Sequence, residues 1–306
     1  MGDDRLRRRR FLGGLALSPL TLLSGCRCTS HQGPPSPGRA APSATPRAPA
    51  SALATPARPL RVLTYNVLAD PLRVDERIPP LMAVLEKADA DIIALQEVAP
   101  WFMQLLHQQP WVRAYQESKM DGMRAYPGGQ YILSRYPIQS SWAEILPGQQ
   151  RRTALYADIH VGDTNLRVAT THMESSLEDG PVRAAQLRRI FARLRGTEHA
   201  LLLGDFNFGD GEPESSDLNS SYEDLWLALH PGDHGFTWDI EQSQLAREKS
   251  FPGESSRRLD RILLHSNAWR GASISIVGDQ PVVPGKRDLF PSDHFGLVAE
   301  LVRSRS

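Results

Sequence analysis

Five short polar strings in this chain combine the side chains that hydrolysis of a phosphoester requires. Each string ends or follows an apolar run typical of a buried strand. The strings are Tyr65-Asn66, Gln96-Glu97, Thr171-His172, Gly204-Asp205-Phe206-Asn207 and Ser292-Asp293-His294. Such hydrolysis needs a divalent cation, an activated water and donors for the developing charge. Because hard cations such as Mg²⁺ take oxygen ligands, carboxylates and amides gathered in one place favour a metal-assisted phosphoester hydrolase.

Glu97 and Asn66 are predicted to form the metal site. Glu97 follows the apolar run DIIAL and Gln96, and Asn66 follows LTY. A carboxylate in this position is either a ligand of the cation or the solvated end of a strand. Asn66 is either an ordinary turn residue or the amide that orients Glu97 and the shell around the cation.

Asp205 and Asn207 lie in the string LLLGDFN. Gly204 permits a tight exit from the preceding strand. Asp205 is predicted to orient or deprotonate the attacking water or to approach the metal. Asn207 faces the same way if the backbone stays extended, and its amide can then hold a phosphate oxygen. The alternative is a strand followed by an Asx-turn.

Histidine and aspartate side chains complete the predicted catalytic set. Asp293 precedes His294, and a carboxylate beside an imidazole raises its pKa and fixes its orientation. His294 is therefore predicted to stabilise charge on the phosphorus or to transfer a proton. His172 ends the run RVATT and is predicted to donate to the same phosphate. Asp260, in RRLDRILL, either pairs with a histidine or caps a strand.

Three further side chains are candidates for contact with the substrate, and these are Ser175, Arg183 and Trp238.

The formal net charge of zero hides two oppositely charged parts. Residues 1–58 carry nine Arg and two Asp, which leaves 26 basic and 33 acidic residues in 59–306. The acidic body argues against an extended non-specific grip on long nucleic acid, which depends on many Lys and Arg contacts to phosphates. A basic rim around the site remains compatible with it. The 248 residues of the body fit one large domain.

The first 58 residues predict export and anchoring. Residues 1–26 combine a run of Arg, an apolar stretch and small residues, as in a signal with a lipobox that ends at Cys26. The string Arg8-Arg9-Arg10-Phe11-Leu12 is similar to a twin-arginine signal. Residues 27–58, rich in Pro, Ala, Ser and Arg, predict a disordered tether.

The chain is therefore predicted to be an exported bacterial lipoprotein, anchored to the membrane through Cys26. The alternative is a cytoplasmic protein with an arbitrary basic N-terminus. Both cysteines, Cys26 and Cys28, lie in this leader. The body consequently has no disulfide, no thiol nucleophile and no cysteine-based zinc site.

The hydrophobic pattern of the body predicts many strands and few long helices. Predicted strands cover residues 60–67, 91–95, 130–134, 154–161, 166–171, 200–203, 259–264 and 295–302, and predicted helices cover 79–88, 100–107, 181–195 and 222–229. Residues 158–170 predict a hairpin that turns at Gly162-Asp163. This pattern favours an α/β fold of two sheets packed face to face with helices outside, so that polar strand ends converge on one rim.

The strings TYN, LQEV, THMES, GDFN, LDRIL and SDHFGL resemble the endonuclease/exonuclease/phosphatase family from about residue 60 to 302. The resemblance implies a four-layer αββα sandwich of two mainly antiparallel sheets, like deoxyribonuclease I, and dependence on Mg²⁺ or Mn²⁺. It also implies metal and catalytic roles for Asn66, Glu97, Asp205, Asn207 and His294. Asp260 and Asp293 would support these residues, and His172 would bind phosphate.

Several strings look closer to the branch of this family that hydrolyses 5′-tyrosyl-DNA phosphodiesters. The strings THMES, FTWD and RLDRI are similar to its own, and its FTWD tryptophan lies by DNA. One departure follows Asn207, where the branch carries Leu-Arg-Asp and this chain has Phe208, Gly209 and Asp210. A basic residue beside the site is therefore missing.

The leading hypothesis is a metal-dependent phosphodiesterase acting on a DNA 5′ end or a related nucleic-acid phosphodiester, with no obligate protein partner. The alternative within enzymes is an exported nuclease or a sphingomyelinase-like phospholipid phosphodiesterase. Outside enzymes, the alternative is a catalytically inactive surface-binding module. The presence of Glu97, Asp205 and His294 argues against that inactive module.

Overall fold

A computed structural model describes residues 58–118 and 129–304. The predicted export signal, Cys26 and the tether up to residue 57 lie outside the described residues. The strands are β1 Leu60–Asn66, β2 Ile92–Val98, β3 Gln116–Glu117, β4 Gly129–Ser134, β5 Ile138–Ile145, β6 Thr153–Val161, β7 Thr164–His172, β8 Ala200–Asp205, β9 Glu223–Asp224, β10 Asp260–His265, β11 Trp269–Val277 and β12 Gly296–Arg303. The α-helices are α1 Val74–Lys87, α2 Pro100–His107, α3 Gly180–Leu194, α4 Leu225–Leu229 and α5 Gln244–Lys249. Short 3₁₀ helices cover Pro110–Ala114, Leu177–Asp179 and Pro213–Asp217.

The strands form two six-stranded sheets with matching topology. One sheet has the order β11-β12-β1-β2-β4-β3, and the other has the order β5-β6-β7-β8-β10-β9. Among the described strands, each sheet has a single parallel pair, β1 with β2 or β7 with β8, among antiparallel neighbours. The prediction of two mainly antiparallel sheets is therefore confirmed.

Three apolar cores define four layers. The central core lies between the sheets and joins residues such as Val62 and Ile92 of the first sheet to Leu155 and Leu203 of the second. A second core packs α1 and α2 on the outer face of the first sheet. A third core packs α3 on the outer face of the second sheet, where Leu187, Ile190 and Leu194 are buried. Because both faces of each sheet are covered, the central strands are apolar on both sides rather than alternating. The αββα arrangement predicted by resemblance is confirmed.

The first helix begins earlier than its sequence predicts. It starts at Val74 and carries Pro79 and Pro80 inside it, whereas a proline usually marks a helix start. The two carbonyls that lose their intrahelical partners belong to the exposed residues Asp75 and Glu76, where water can replace the missing donors. Strands β5 and β11 lacked a clear sequence signal because they lie at or beside sheet edges and are half-exposed along much of their length.

The parallel pairs bring the polar strand ends together. In the first sheet Asn66 of β1 is in register with Gln96 of β2, directly before Glu97. In the second sheet Asp205 of β8 is in register with both His172 of β7 and Asp260 of β10. Within residues 58–118 and 129–304, no helix combines the length and the apolar character needed to cross a membrane.

Candidate active site

The amide of Asn66 joins the carboxylates of the two sheets. Its Nδ2 donates to Asp205 Oδ2 at 3.0 Å and lies 3.3 Å from Glu97 Oε1. Its Oδ1 accepts from Leu68 N at 3.1 Å, which fixes the orientation of the amide. Asn66 therefore donates to both carboxylates and holds Glu97 and Asp205 near one another. Its role in orienting a metal ligand stays a prediction.

A β-bulge aims Glu97 toward this rim. The register of β2 with β4 shifts between Leu95 and Val98, and Glu97 has a left-handed φ of 57°. A bulge turns one residue out of the alternation of the strand, which explains how a side chain at a buried strand end reaches the site. The Glu97 carboxylate is 25% exposed, and Ala69 N donates to its Oε2 at 2.8 Å.

Asp205, His294 and Asp260 form a buried charge triad. His294 Nδ1 donates to Asp260 Oδ2 at 2.9 Å, and His294 Nε2 lies 3.6 Å from Asp205 Oδ2. All three side chains are almost fully buried. Asp260 is held in turn by Thr237, whose Oγ1 accepts from the backbone N–H groups of Leu259 and Asp260 at 3.0 Å each.

Burial and neighbouring charge shift both ionisable partners upward. Burial raises the pKa of Asp205 to about 6, and Asp260 adds to the rise. Burial by itself would lower the pKa of His294, but the carboxylates of Asp260 and Asp205 outweigh it and raise that pKa to about 10. At neutral pH His294 is therefore an imidazolium, whose charge can stabilise an anion, rather than a general base.

His172 approaches the same carboxylate from β7. Its Nε2 lies 3.3 Å from Asp205 Oδ2, and Arg152 Nη1 is hydrogen-bonded to its Nδ1 at 3.0 Å. Since an arginine only donates, Nδ1 is the acceptor and the ring proton belongs on Nε2. His172 thus donates toward Asp205 from one nitrogen and is held by Arg152 through the other.

Asn207 and Asp293 lie at the same rim. Asn207 N donates to Asp205 Oδ1 at 3.0 Å, and Asn207 has a left-handed φ of 56°. The backbone therefore does not stay extended at Asn207, and the bond from its N–H to Asp205 is the Asx-type hydrogen bond that the alternative predicted. A contact between the Asn207 amide and a phosphate stays a prediction. The Asn207 amide donates to Met173 O at 2.9 Å. Asp293 is buried and accepts from Ser292 Oγ at 3.2 Å.

The three predicted substrate contacts occupy different surroundings. Trp238 is almost fully buried, with its ring centroid 4.9 Å from that of His294, so it packs against a catalytic candidate. Ser175 lies at the rim, and its Oγ donates to Gln150 at 3.2 Å. Arg183 is buried and donates to Glu214 at 2.8 Å and to backbone carbonyls such as Ser176 O at 2.6 Å. Hydrogen bonds of this kind are typical of a buried arginine that holds a loop in place.

Two sets of side chains in the site could hold a divalent cation. Asp205, Asp260 and His294 each offer an atom within 4.8 Å of the others, but the protonated His294 already bridges these carboxylates. The oxygen-only set around Glu97 and Asp205, joined by Asn66, suits Mg²⁺ or Mn²⁺ better. The residues present thus fit a hard cation at Glu97.

Sequence reasoning missed three residues that orient the site. Arg152 follows two polar residues in a loop and has no pattern that points to His172. Thr237 lies in the FTWD string beside Trp238, and no local pattern links its hydroxyl to Asp260. Arg77 lies in the first turn of α1, which was predicted to begin only at residue 79.

The fold and the convergence of acidic, amide and imidazole groups define a phosphoesterase-type sandwich. Residues 63–294 match the sequence profile described as "Endonuclease/Exonuclease/phosphatase family", and the chain belongs to this family.

Within the family the chain lies near the tyrosyl-DNA phosphodiesterase 2 branch. It is 27% identical to tyrosyl-DNA phosphodiesterase 2 of Danio rerio over 249 residues, which cover 78% of this chain but only 65% of that protein. It is 24% identical to the Homo sapiens protein over 256 residues, or 78% of this chain and 67% of the relative. The crystal structure of Danio rerio TDP2 with a single-stranded DNA product matches with a TM-score of 0.68 at 24% identity. That match covers 79% of this chain and 98% of the other, and it supports the fold.

The predicted localisation is corrected by these comparisons. The matched relatives are vertebrate proteins named for an activity on tyrosyl-DNA, one of them solved with single-stranded DNA. The prediction of an exported, membrane-anchored lipoprotein is therefore wrong. The phospholipid alternative drew its support from that anchor and is withdrawn with it.

Proposed function

We propose that this protein is a divalent-metal-dependent phosphodiesterase that hydrolyses a phosphodiester at a nucleic-acid end, in the manner of a tyrosyl-DNA phosphodiesterase. One observation carries the proposal. The buried Asp205 carboxylate lies within 3.6 Å of three nitrogens from separate parts of the chain, namely Asn66 Nδ2, His172 Nε2 and His294 Nε2. Burial of a charged carboxylate costs free energy of folding, so such a group is not expected to add to stability. Its fixed orientation instead suits a catalytic role, in which it binds a water or lies beside a phosphate.

The proposed roles follow from the protonation states. Asp205 orients the attacking water and accepts its proton, which its raised pKa favours near neutral pH. The imidazolium of His294 and the Nε2–H of His172 stabilise charge that develops on the phosphate oxygens, and Asn207 contributes its amide. Asp260 and Asp293 support His294. Glu97, oriented by Asn66, would hold Mg²⁺ or Mn²⁺, which supplies charge neutralisation at the phosphate.

The nucleic-acid substrate is supported by similarity and by chemistry. The relatives are named for tyrosyl-DNA, and a solved neighbour holds a DNA product. Trp238 lies in the string that resembles the DNA-contacting segment of that branch, and Arg152 and Ser175 place polar groups at the same rim.

The test measures hydrolysis of bis(p-nitrophenyl) phosphate and of a 5′-tyrosyl oligonucleotide by the full chain, with Mg²⁺, with Mn²⁺ and with EDTA. Asp205→Asn and Glu97→Gln should each lower kcat by about 10²-fold or more, and EDTA should abolish turnover. Glu198→Gln, which alters a 71% exposed carboxylate, is the matched control and should leave kcat unchanged. Full activity in EDTA would contradict the metal dependence, and cleavage of the simple diester alone would contradict the nucleic-acid substrate.

A further inference from the structure

Arg77 is a fully buried arginine that hydrogen-bonds only to backbone. It lies in the first turn of α1 and is 0% exposed. Among the described residues it forms no ion pair with a carboxylate. Its five N–H groups donate instead to the carbonyls of Leu72 at 2.9 Å, Val67 at 3.1 Å, Pro291 at 3.2 Å, Leu68 at 2.9 Å and Asp70 at 2.6 Å. Every donor of the guanidinium is therefore used.

Two of these carbonyls belong to peptide groups whose N–H points at the candidate metal site. The peptide from Val67 to Leu68 accepts from Arg77 and donates through Leu68 N to Asn66 Oδ1 at 3.1 Å. The next peptide, from Leu68 to Ala69, accepts from Arg77 and donates through Ala69 N to Glu97 Oε2 at 2.8 Å. Two successive peptides are thus each held between the guanidinium and one side chain of the metal site.

A third carbonyl links Arg77 to the other side of the site. Pro291 O precedes Ser292, whose Oγ donates to Asn66 O at 2.7 Å. His294 follows two residues later. The guanidinium therefore joins the loop that follows Asn66 to the loop that carries the catalytic histidine candidate.

We propose that Arg77 is a positioning residue for the cation site and acts on Asn66 and Glu97 through the two peptide groups. A cation at the carbonyl end polarises a peptide, so that its N–H becomes a better donor to a carboxylate or an amide oxygen. The proposal rests on the proposed function in one respect, since it takes Glu97 as the ligand of the metal. Residues that orient metal ligands in this way change metal affinity by about 10- to 100-fold when they are removed.

A purely structural role for Arg77 would predict something else. A helix-to-loop link lowers stability when it is removed but leaves the metal affinity of the folded protein unchanged. The chain offers a matched control, because Lys249 Nζ pairs with Asp70 Oδ2 at 2.8 Å and so braces the same loop through a side chain. That bond does not involve the peptides between residues 67 and 69.

The experiment measures Mn²⁺ binding to the full chain by electron paramagnetic resonance titration, together with thermal unfolding and hydrolysis of bis(p-nitrophenyl) phosphate. Arg77→Lys keeps the charge but cannot make all five bonds, and Arg77→Met removes the charge. We expect Arg77→Lys to weaken Mn²⁺ binding about tenfold and Arg77→Met to weaken it more. Saturating metal should restore most of kcat in Arg77→Lys, while Lys249→Met should bind Mn²⁺ like the wild type.

The outcomes separate this inference from the proposed function. If the wild type binds Mn²⁺ and hydrolyses the diester but folded Arg77→Lys binds equally well, the inference alone fails. If the wild type neither binds Mn²⁺ nor turns over, the proposed function fails first.

Should the Arg77 variants not fold, hydrogen exchange on the wild type replaces them. If the segment that Arg77 holds orients the cation site, bound Mn²⁺ must stabilise that segment in return. Saturation with Mn²⁺ should therefore slow the hydrogen exchange of the Leu68 and Ala69 amides. Unchanged exchange of these two amides on saturation with Mn²⁺ would overturn the inference.

Discussion

At the scale of single residues, the site is defined by which nitrogen carries which proton. The Nε2 atoms of His172 and His294 both approach Asp205 Oδ2, but the two rings have different partners. Arg152 donates to His172, whereas Asp260 accepts from His294. One imidazole is consequently oriented by a donor and the other by an acceptor, so that both direct an N–H toward the space beside Asp205. This arrangement suits stabilisation of an anion better than a relay of protons.

Substitution of Arg152 should remove the hydrogen bond that orients the His172 ring. Arg152→Met takes away the donor that fixes the tautomer, so we expect kcat on bis(p-nitrophenyl) phosphate to fall about tenfold. That loss is smaller than for a donor in direct contact with the reacting group. The neighbouring Arg151→Met is the control for lost positive charge and should retain kcat within about twofold. Imidazole ¹⁵N spectra would show whether the proton on His172 stays on Nε2, and an unchanged rate in Arg152→Met would rule out its orienting role.

His294 should make the stability of the metal-free protein depend on pH. Its pKa is raised from an ordinary value of 6.5 to about 10, so the folded state binds its proton more tightly than the unfolded state. The stabilisation is therefore complete below about pH 6.5 and is lost as pH rises toward about 10, at up to about 1.4 kcal/mol per pH unit. Urea unfolding in EDTA at several pH values measures the slope. His294→Gln should flatten it and His160→Gln should not, whereas equal stability across that range would contradict a charged His294.

At the scale of elements, the strand ends were predictable and the irregular positions were not. Apolar runs such as DIIAL and LLLG identify central strands, and the polar residue that follows each run identifies the rim. The bulge that turns Glu97 outward depends on pairing with β4, which is distant in the sequence. The early start of α1 lies beside the bonds that Arg77 makes to the loop before the helix, and these bonds join residues that no periodic pattern relates. The local sequence pattern shows neither the pairing of distant strands nor the hydrogen bonds of a particular side chain.

Substitution of Gly204 tests whether the backbones of β7 and β8 must approach each other closely at this position. Gly204 has a φ of 139°, and a Cβ built there would lie 2.1 Å from the carbonyl oxygen of Thr171, which is backbone and cannot move aside. Gly204→Ala should therefore separate Asp205 from His172 and cost about 3 kcal/mol of unfolding free energy. Gly253→Ala has a positive φ of 79° with nothing within 4 Å and should cost only about 1 kcal/mol. Urea unfolding midpoints compare the two, and equal costs would argue against a close approach.

At the scale of the whole molecule, each half of the sandwich contributes part of the site. Asn66, Glu97 and His294 come from the first sheet and its loops, and Asp205 and His172 come from the second. The sequence pattern predicts that each of these side chains lies at the end of a strand, but it does not predict the distance between the two sheets. Buried polar pairs between them, such as Gln96 Nε2 to Thr170 Oγ1 at 2.8 Å, set the register of the two halves behind the site. The family strings, by contrast, predicted the four-layer fold correctly, because the resemblance extends from about residue 60 to 302.

The balance of charge in the molecule predicts how many phosphates of a nucleic acid it can contact. Residues 59–306 contain 33 acidic and 26 basic residues. Near the site Arg257 is already paired with Glu212 and Glu254, so it adds little free positive charge. A long track of phosphate contacts is therefore not expected, and binding should involve only about two phosphates next to the cleaved bond.

Salt dependence measures this number directly. For single-stranded DNA the slope of log(kcat/KM) against log[salt] is about −0.7 for each phosphate contacted, so about two contacts predict a slope near −1.4. We expect this slope for a 5′-tyrosyl oligonucleotide between about 50 and 200 mM salt at fixed Mg²⁺, and we expect kcat/KM to stop rising once the oligonucleotide exceeds a few nucleotides. Bis(p-nitrophenyl) phosphate is the control, since it has no further phosphates and should show almost no slope. A slope near −4 with continued dependence on length would require a basic track of about six contacts, and it would contradict binding at the end of the nucleic acid alone.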